Sequence, residues 1–97
     1  MQVQRLEFDV KRGCIPEAVK AVKAMPNPEN TLPVKRVYTS RIGRQNTIAL
    51  ELEWESLAAY EKGWAKWNAL PQAAAFLKNW NELVGLGKDT IWESVAI

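Results

Sequence analysis

Between Asn46 and Trp67 the chain changes its hydrophobic period once, at Ser56. Ahead of Ser56, Ile48, Leu50, Leu52 and Trp54 alternate with Ala49, Glu51, Glu53 and Glu55. That is the period of a strand with one buried face. Beyond it, Leu57, Tyr60, Trp64 and Trp67 recur at three- and four-residue steps, the stripe of an amphipathic helix. The Ser56 hydroxyl is placed to accept from a free N–H of the first helical turn. A strand that runs straight into a helix folding back on it restricts the chain to layered architectures.

The remaining segments read in the same way. Gln2–Val10 alternates, with Leu6, Phe8 and Val10 on one face and Arg5, Glu7 and Asp9 on the other, so it predicts a half-buried strand. Lys11-Arg12-Gly13 is a turn, and Gly13 is free to take a positive φ. Pro16 and Glu17 suit a helix start. Ile15, Ala18, Val19, Val22 and Met25 form that helix's apolar stripe, and Pro26 and Pro28 end it. Pro33–Ser40 predicts an edge strand of mixed faces, with Val34, Arg36, Tyr38 and Ser40 on one side. Gly43 centres a short turn, making an antiparallel hairpin with the following strand. After the helix, Asn68-Ala69-Leu70-Pro71 is a break from which Pro71 opens another helix, with Ala73, Phe76, Leu77, Trp80, Leu83 and Val84 as its stripe. Gly85-Leu86-Gly87 is expected to close that helix, and Asp89–Ile97 to form a last strand.

At 97 residues the chain is the size of one domain, 1–97. A domain this small has a modest stability margin, which a partner subunit would widen. Cys14 is the only cysteine, so an internal disulfide is impossible, and a reducing, cytoplasmic setting is expected. The charged N-terminus lacks the apolar core of a signal peptide, and no run is long enough to cross a bilayer. A net charge of +2, with acids and bases interspersed, does not call for a nucleic acid or membrane partner. Lys35, Arg36, Arg41 and Arg44 make a basic hairpin, but a nucleic-acid role would want more net charge and exposed aromatics between the bases. Histidine is absent, which removes the commonest metal ligand and general base. No metal or cofactor is expected.

The order β-α-β-β-α-α-β is the split βαβ, or ferredoxin-like, arrangement of class α+β. Right-handed crossovers put the helices on one face of a four-stranded antiparallel sheet, with the first and third strands central. The other face then has no cover from its own chain. The segments LEFDVKRGCIPEAV, YTSRIGRQNTIALELEWESLAAYEKGW, LPQAAAFLKNW and DTIWESV resemble the dimeric α+β barrel superfamily, most of all its NIPSNAP-like domains. The likeness spans nearly the whole chain and rests on Gly13, Gly43, Asn46, Trp54, Ser56, Tyr60 and Phe76. It implies a homodimer in which two sheets pack face to face. The face lining that barrel would carry Arg5, Glu7, Asp9, Glu51 and Glu53. Three arrangements are open: Arg5 pairs across strands with Glu51 or Glu53, the barrel is wet, or the face is exposed.

Candidate ligand-binding residues fall in two groups. Arg36 and Tyr38 share a face and would orient an anionic or phenolic ligand; the plainer reading is an ordinary edge strand. Tyr60, Trp64 and Trp67, with Trp54 and Trp80 nearby, would wall a pocket between helices and sheet, and Asn68 would hydrogen-bond a substrate oxygen. The plainer readings are core packing and a helix cap. Glu7, Asp9, Glu51 and Glu53 would make a hard-cation site, a general base raised in pKa by its like-charged neighbours or, as preferred, an alternating solvated or salt-bridged face. Cys14 would be a reactive thiol at a helix start or, as preferred, a small buried residue. Three functions remain: a homodimeric domain binding a small apolar or aromatic molecule, an enzyme, or an assembly module. For the enzyme, the resemblance implies a cofactor-independent monooxygenase of aromatic polyketide-like substrates, in which an activated phenol is deprotonated before oxygen attack. Related barrels that bind haem do so through histidine, which this chain lacks.

Overall fold

The computed structural model describes residues 1–97 in full. The elements run β1 (Gln2–Val10), α1 (Ile15–Lys23), a short 3-10 turn (Pro28–Asn30), β2 (Val34–Thr39), β3 (Thr47–Trp54), α2 (Leu57–Asn68), α3 (Ala73–Leu83) and β4 (Val84–Glu93). The four strands form one antiparallel sheet in the order β2-β3-β1-β4. The fold is α+β and ferredoxin-like, with β1 and β3 central as the element order and right-handed crossovers predict. Gly13 and Gly43 take the positive φ values, 81° and 95°, that their turns need.

One sheet face holds the core. Leu6, Phe8 and Val10 of β1 and Ile48, Leu50, Leu52 and Trp54 of β3 pack against the helical stripes. The rings interlock edge to face: Phe8 on Trp80 at 5.3 Å, Trp64 on Trp67 at 5.8 Å and Trp67 on Phe76 at 5.9 Å between centroids. Ser56 caps α2 as expected, accepting from the Ala59 N–H at 3.1 Å. Trp54, at the end of β3, lies under α2 at Gly63, where a Cβ would collide with its ring.

Three local expectations are corrected. Val34 does not share a face with Arg36 and Tyr38, because the β2–β3 register shifts between Val34 and Arg36. The bulge inserts a residue and so reverses which side chains point at the core. Val34 turns to the core, while Arg36 and Tyr38 turn away from it. Gly85-Leu86-Gly87 does not close a helix, and the last strand is not Asp89–Ile97: β4 starts at Val84 and ends at Glu93. Gly87 pairs with Phe8, and a Cβ there would stand 3.0 Å from the Phe8 ring, so the glycine serves close packing within the strand. Leu57, which shares the α2 periodicity, is left 54% exposed.

Candidate functional site

Gln4 is the polar residue at the centre of the helix-covered face. It occupies a β1 position in phase with Leu6 and Phe8 and is 1% exposed. Its Oε1 accepts from Trp54 Nε1 at 3.0 Å and from Trp64 Nε1 at 2.8 Å. Its Nε2 donates to Asp89 Oδ1 at 3.1 Å. Only this amide orientation satisfies all three partners, since indoles can only donate and a carboxylate can only accept. Asp89 reaches Gln4 because β4 runs antiparallel to β1 with Leu6 opposite Asp89 and Gln4 opposite Ile91.

Around this hub lies a cleft of about 290 Å³ between α2, α3 and the β1–β4 side of the sheet. Tyr60, Trp64, Trp67 and Asn68, all from α2, meet there with Gln4 and Asp89. Leu6, Phe8 and Leu77 complete its floor and far wall. The spacing of α2 explains the convergence: residues 60, 64, 67 and 68 fall on one side of the helix. Trp67 is 2% exposed and is fixed by donation from its Nε1 to the Pro26 carbonyl at 2.7 Å. A second, almost wholly apolar cavity of about 150 Å³ lies behind, under α1 and α3. Leu6, Phe8, Trp64, Trp67 and Leu77 wall both spaces.

Arg36 and Tyr38 are not part of this cleft. They lie on the opposite sheet face, within a lattice of ion pairs. Arg5 meets Glu7 at 2.7 Å and Glu51 at 3.6 Å; Arg36 meets Glu51 at 3.2 Å and Glu53 at 3.4 Å. Arg44 meets Asp9 at 2.6 Å, and the Arg5 guanidinium lies 5.3 Å from the centre of the Tyr38 ring. The bond from Arg5 holds the Glu7 carboxyl below its ordinary range. Donation to Glu53, and to Glu51 beside it, raises the Arg36 guanidinium further above its ordinary value. The cross-strand pair of Arg5 with Glu51, one of three open arrangements in the sequence, is therefore present. Each of the four carboxylates faces an arginine, and no three His, Cys, Asp or Glu side chains come together as a metal-holding group. Cys14 is half-buried at the start of α1.

Two residues of the cleft escape a reading by periodicity. Gln4 and Asp89 are polar groups in phase with apolar neighbours, Leu6 and Ile91 respectively. For Gln4, a polar residue on the apolar phase of a buried strand is the signal that would have found it, because such a group must find partners inside; Asp89 is exposed and leaves no such signal.

These features define a class: a four-stranded ferredoxin-like sheet with helices on one face, a tryptophan-walled cleft beneath them and a charged, uncovered second face. No protein-family model matches the sequence, and no curated protein matches it. Solved structures do match in fold. A NIPSNAP family protein of unknown function from Agrobacterium tumefaciens superposes with a TM-score of 0.86 at 23% identity, over 95% of this chain and 86% of that one. An uncharacterised NIPSNAP domain protein from Burkholderia xenovorans gives 0.87 at 15% identity, over 99% and 96%. A putative antibiotic biosynthesis monooxygenase from Deinococcus radiodurans gives 0.66 at 14% identity, over 100% and 95%. The fold is thus that of NIPSNAP proteins, with a looser likeness to the monooxygenase. No helix is long and apolar enough to cross a membrane.

Proposed function

We propose that the chain acts as a homodimer that binds a small aromatic or apolar molecule in the cleft between α2, α3 and the sheet. One observation carries this reading: Tyr60, Trp64, Trp67 and Asn68 converge with Gln4 and Asp89 around one concave space. Aromatic walls with a few polar groups at one end suit a flat ligand with a polar tip. The adjoining apolar cavity of about 150 Å³ offers room of roughly benzene size. The dimer reading rests on the uncovered sheet face and on the fold. Intrinsic tryptophan fluorescence tests the cleft, because Trp64 and Trp67 line it. Flat aromatic compounds should shift or quench the emission saturably, and Trp64→Phe should weaken the response. A panel that leaves emission unchanged, while a crystal structure shows the cleft closed, would leave only an assembly module.

A second reading is a cofactor-independent monooxygenase. The likeness to the Deinococcus radiodurans protein and the presence of Asp89 in the cleft favour it. Such chemistry needs a base to deprotonate an activated phenol, and Asp89 is the carboxylate lining that space. Stoichiometric oxygen uptake with an electron-rich polycyclic phenol, lost in Asp89→Asn, would support it.

A further inference from the structure

The chemistry of the cleft wall narrows the ligand further, given that the cleft is a binding site as proposed above. Four aromatic side chains line it, Phe8, Tyr60, Trp64 and Trp67, and no lysine or arginine does. The indole donors are already committed. Trp64 Nε1 is held by Gln4 and Trp67 Nε1 by the Pro26 carbonyl. Those N–H groups are therefore not free for an incoming molecule, and the rings offer it apolar surface. An aromatic face carries negative quadrupole charge and attracts a cation.

Asp89 adds a full negative charge at the same place. It differs from the carboxylates of the opposite face, where Glu7, Asp9, Glu51 and Glu53 each meet an arginine. Asp89 has no such cation; its protein partner is the neutral amide of Gln4, bound to Oδ1. Gln4 cannot turn to offer its N–H to a ligand, because its Oε1 holds two indoles. The amide fixes one carboxylate oxygen and leaves the other for something else. An anionic head placed here would face a like charge, with only Asn68 and Tyr60 to offer donors. A protonated amine would meet the exposed Asp89 carboxylate at the mouth of the cleft, with aromatic rings beside it.

We infer that the cleft selects a ligand carrying a protonated amine on a flat apolar body, the ammonium at Asp89 and the body against Trp64 and Trp67. A matched series tests this by calorimetry on the wild-type protein: 2-phenylethylamine, 2-phenylethanol and 3-phenylpropionate, which share a ring and differ in head charge. The amine should bind a few-fold tighter than the propionate, about the scale of one ion pair or cation–π contact at an exposed site. Asp89→Asn should collapse that preference while leaving the alcohol's affinity in place. Equal binding of the three, tighter binding of the propionate, or an amine preference that survives Asp89→Asn overturns the inference and leaves the cleft as a binding site. Silence from all three removes the binding site itself, and the inference with it.

Discussion

Trp54 lays its indole ring against the bare α-carbon of Gly63, closely enough that an added methyl would overlap the ring. The ring cannot simply withdraw, because its Nε1 is bonded to Gln4 at 3.0 Å. Two effects therefore compete in Gly63→Ala. Alanine favours a helix interior over glycine by about 1 kcal/mol. Overpacking a well-filled site costs about 1–3 kcal/mol. The clash should win, and urea denaturation should show a net loss of up to about 2 kcal/mol. A more stable variant would mean that the strand–helix contact is looser than described.

Gln4→Leu keeps the volume and removes the acceptor. The two indole N–H groups of Trp54 and Trp64 would lose their partner in a site where Trp54 is buried. Each stranded donor costs about 1–3 kcal/mol, so a loss of roughly 2–4 kcal/mol is expected. The tryptophan emission should change in the native state as well, since Trp64 is released at the cleft. Equilibrium unfolding with native-state emission spectra checks both.

The Ser56 hydroxyl caps α2 on the Ala59 N–H at 3.1 Å. Ser56→Ala leaves that N–H to water and should cost about 1 kcal/mol. Ser56→Asp restores the acceptor and adds a favourable charge at the helix start, so it should recover most of the loss. Thermal melts of the three proteins compare them directly.

The layered fold was legible because β1, β3 and α2 each carry an unbroken period. Ile48, Leu50, Leu52 and Trp54 could pack only one way once Ser56 started a helix. The errors lie where a local rule met tertiary packing. Gly85 and Gly87 look like helix terminators, yet in β4 one of them makes room for the Phe8 ring. The bulge between Val34 and Arg36 leaves no mark in composition, so period-2 counting assigned Val34 to the wrong face. For the site, the helical spacing of Tyr60, Trp64 and Trp67 was visible and Asn68 followed from its neighbour. Gln4 and Asp89 lie 85 positions apart and meet only through strand pairing, which no single-segment pattern contains.

Acid should unfold the protein partly through Glu7. Arg5 donates to its carboxyl at 2.7 Å and lowers its pKa in the folded state. A group with a lower pKa folded than unfolded binds fewer protons when folded. Its stabilisation is therefore complete above the ordinary glutamate value of about 4.3. It is lost as pH falls through the lowered folded value. The pair is partly exposed, so solvent screening limits it to well under about 1 kcal/mol. Glu7→Gln should be slightly less stable than wild type at pH 7, and the two should converge below pH 4. Urea midpoints across that range measure the difference.

The charged face bears on assembly. It presents the ion pairs of Arg5 and Arg36 on the central and edge strands, together with Trp92, which stands opposite Val3 and is 64% exposed. That open indole is apolar area that a partner surface would cover. In the proposed dimer a second copy would supply that cover by two-fold symmetry, and the internally paired arginines and glutamates would reduce the cost of bringing two such faces together. Sedimentation at micromolar concentration should therefore give twice the 11.0 kDa chain mass. Arg36→Glu would set a third carboxylate beside Glu51 and Glu53, leaving Glu53 without its arginine and Glu51 with Arg5 alone. That variant should shift strongly toward monomer and recover dimer as salt is raised. A wild-type protein that sediments as a single chain throughout would sink the face-to-face arrangement.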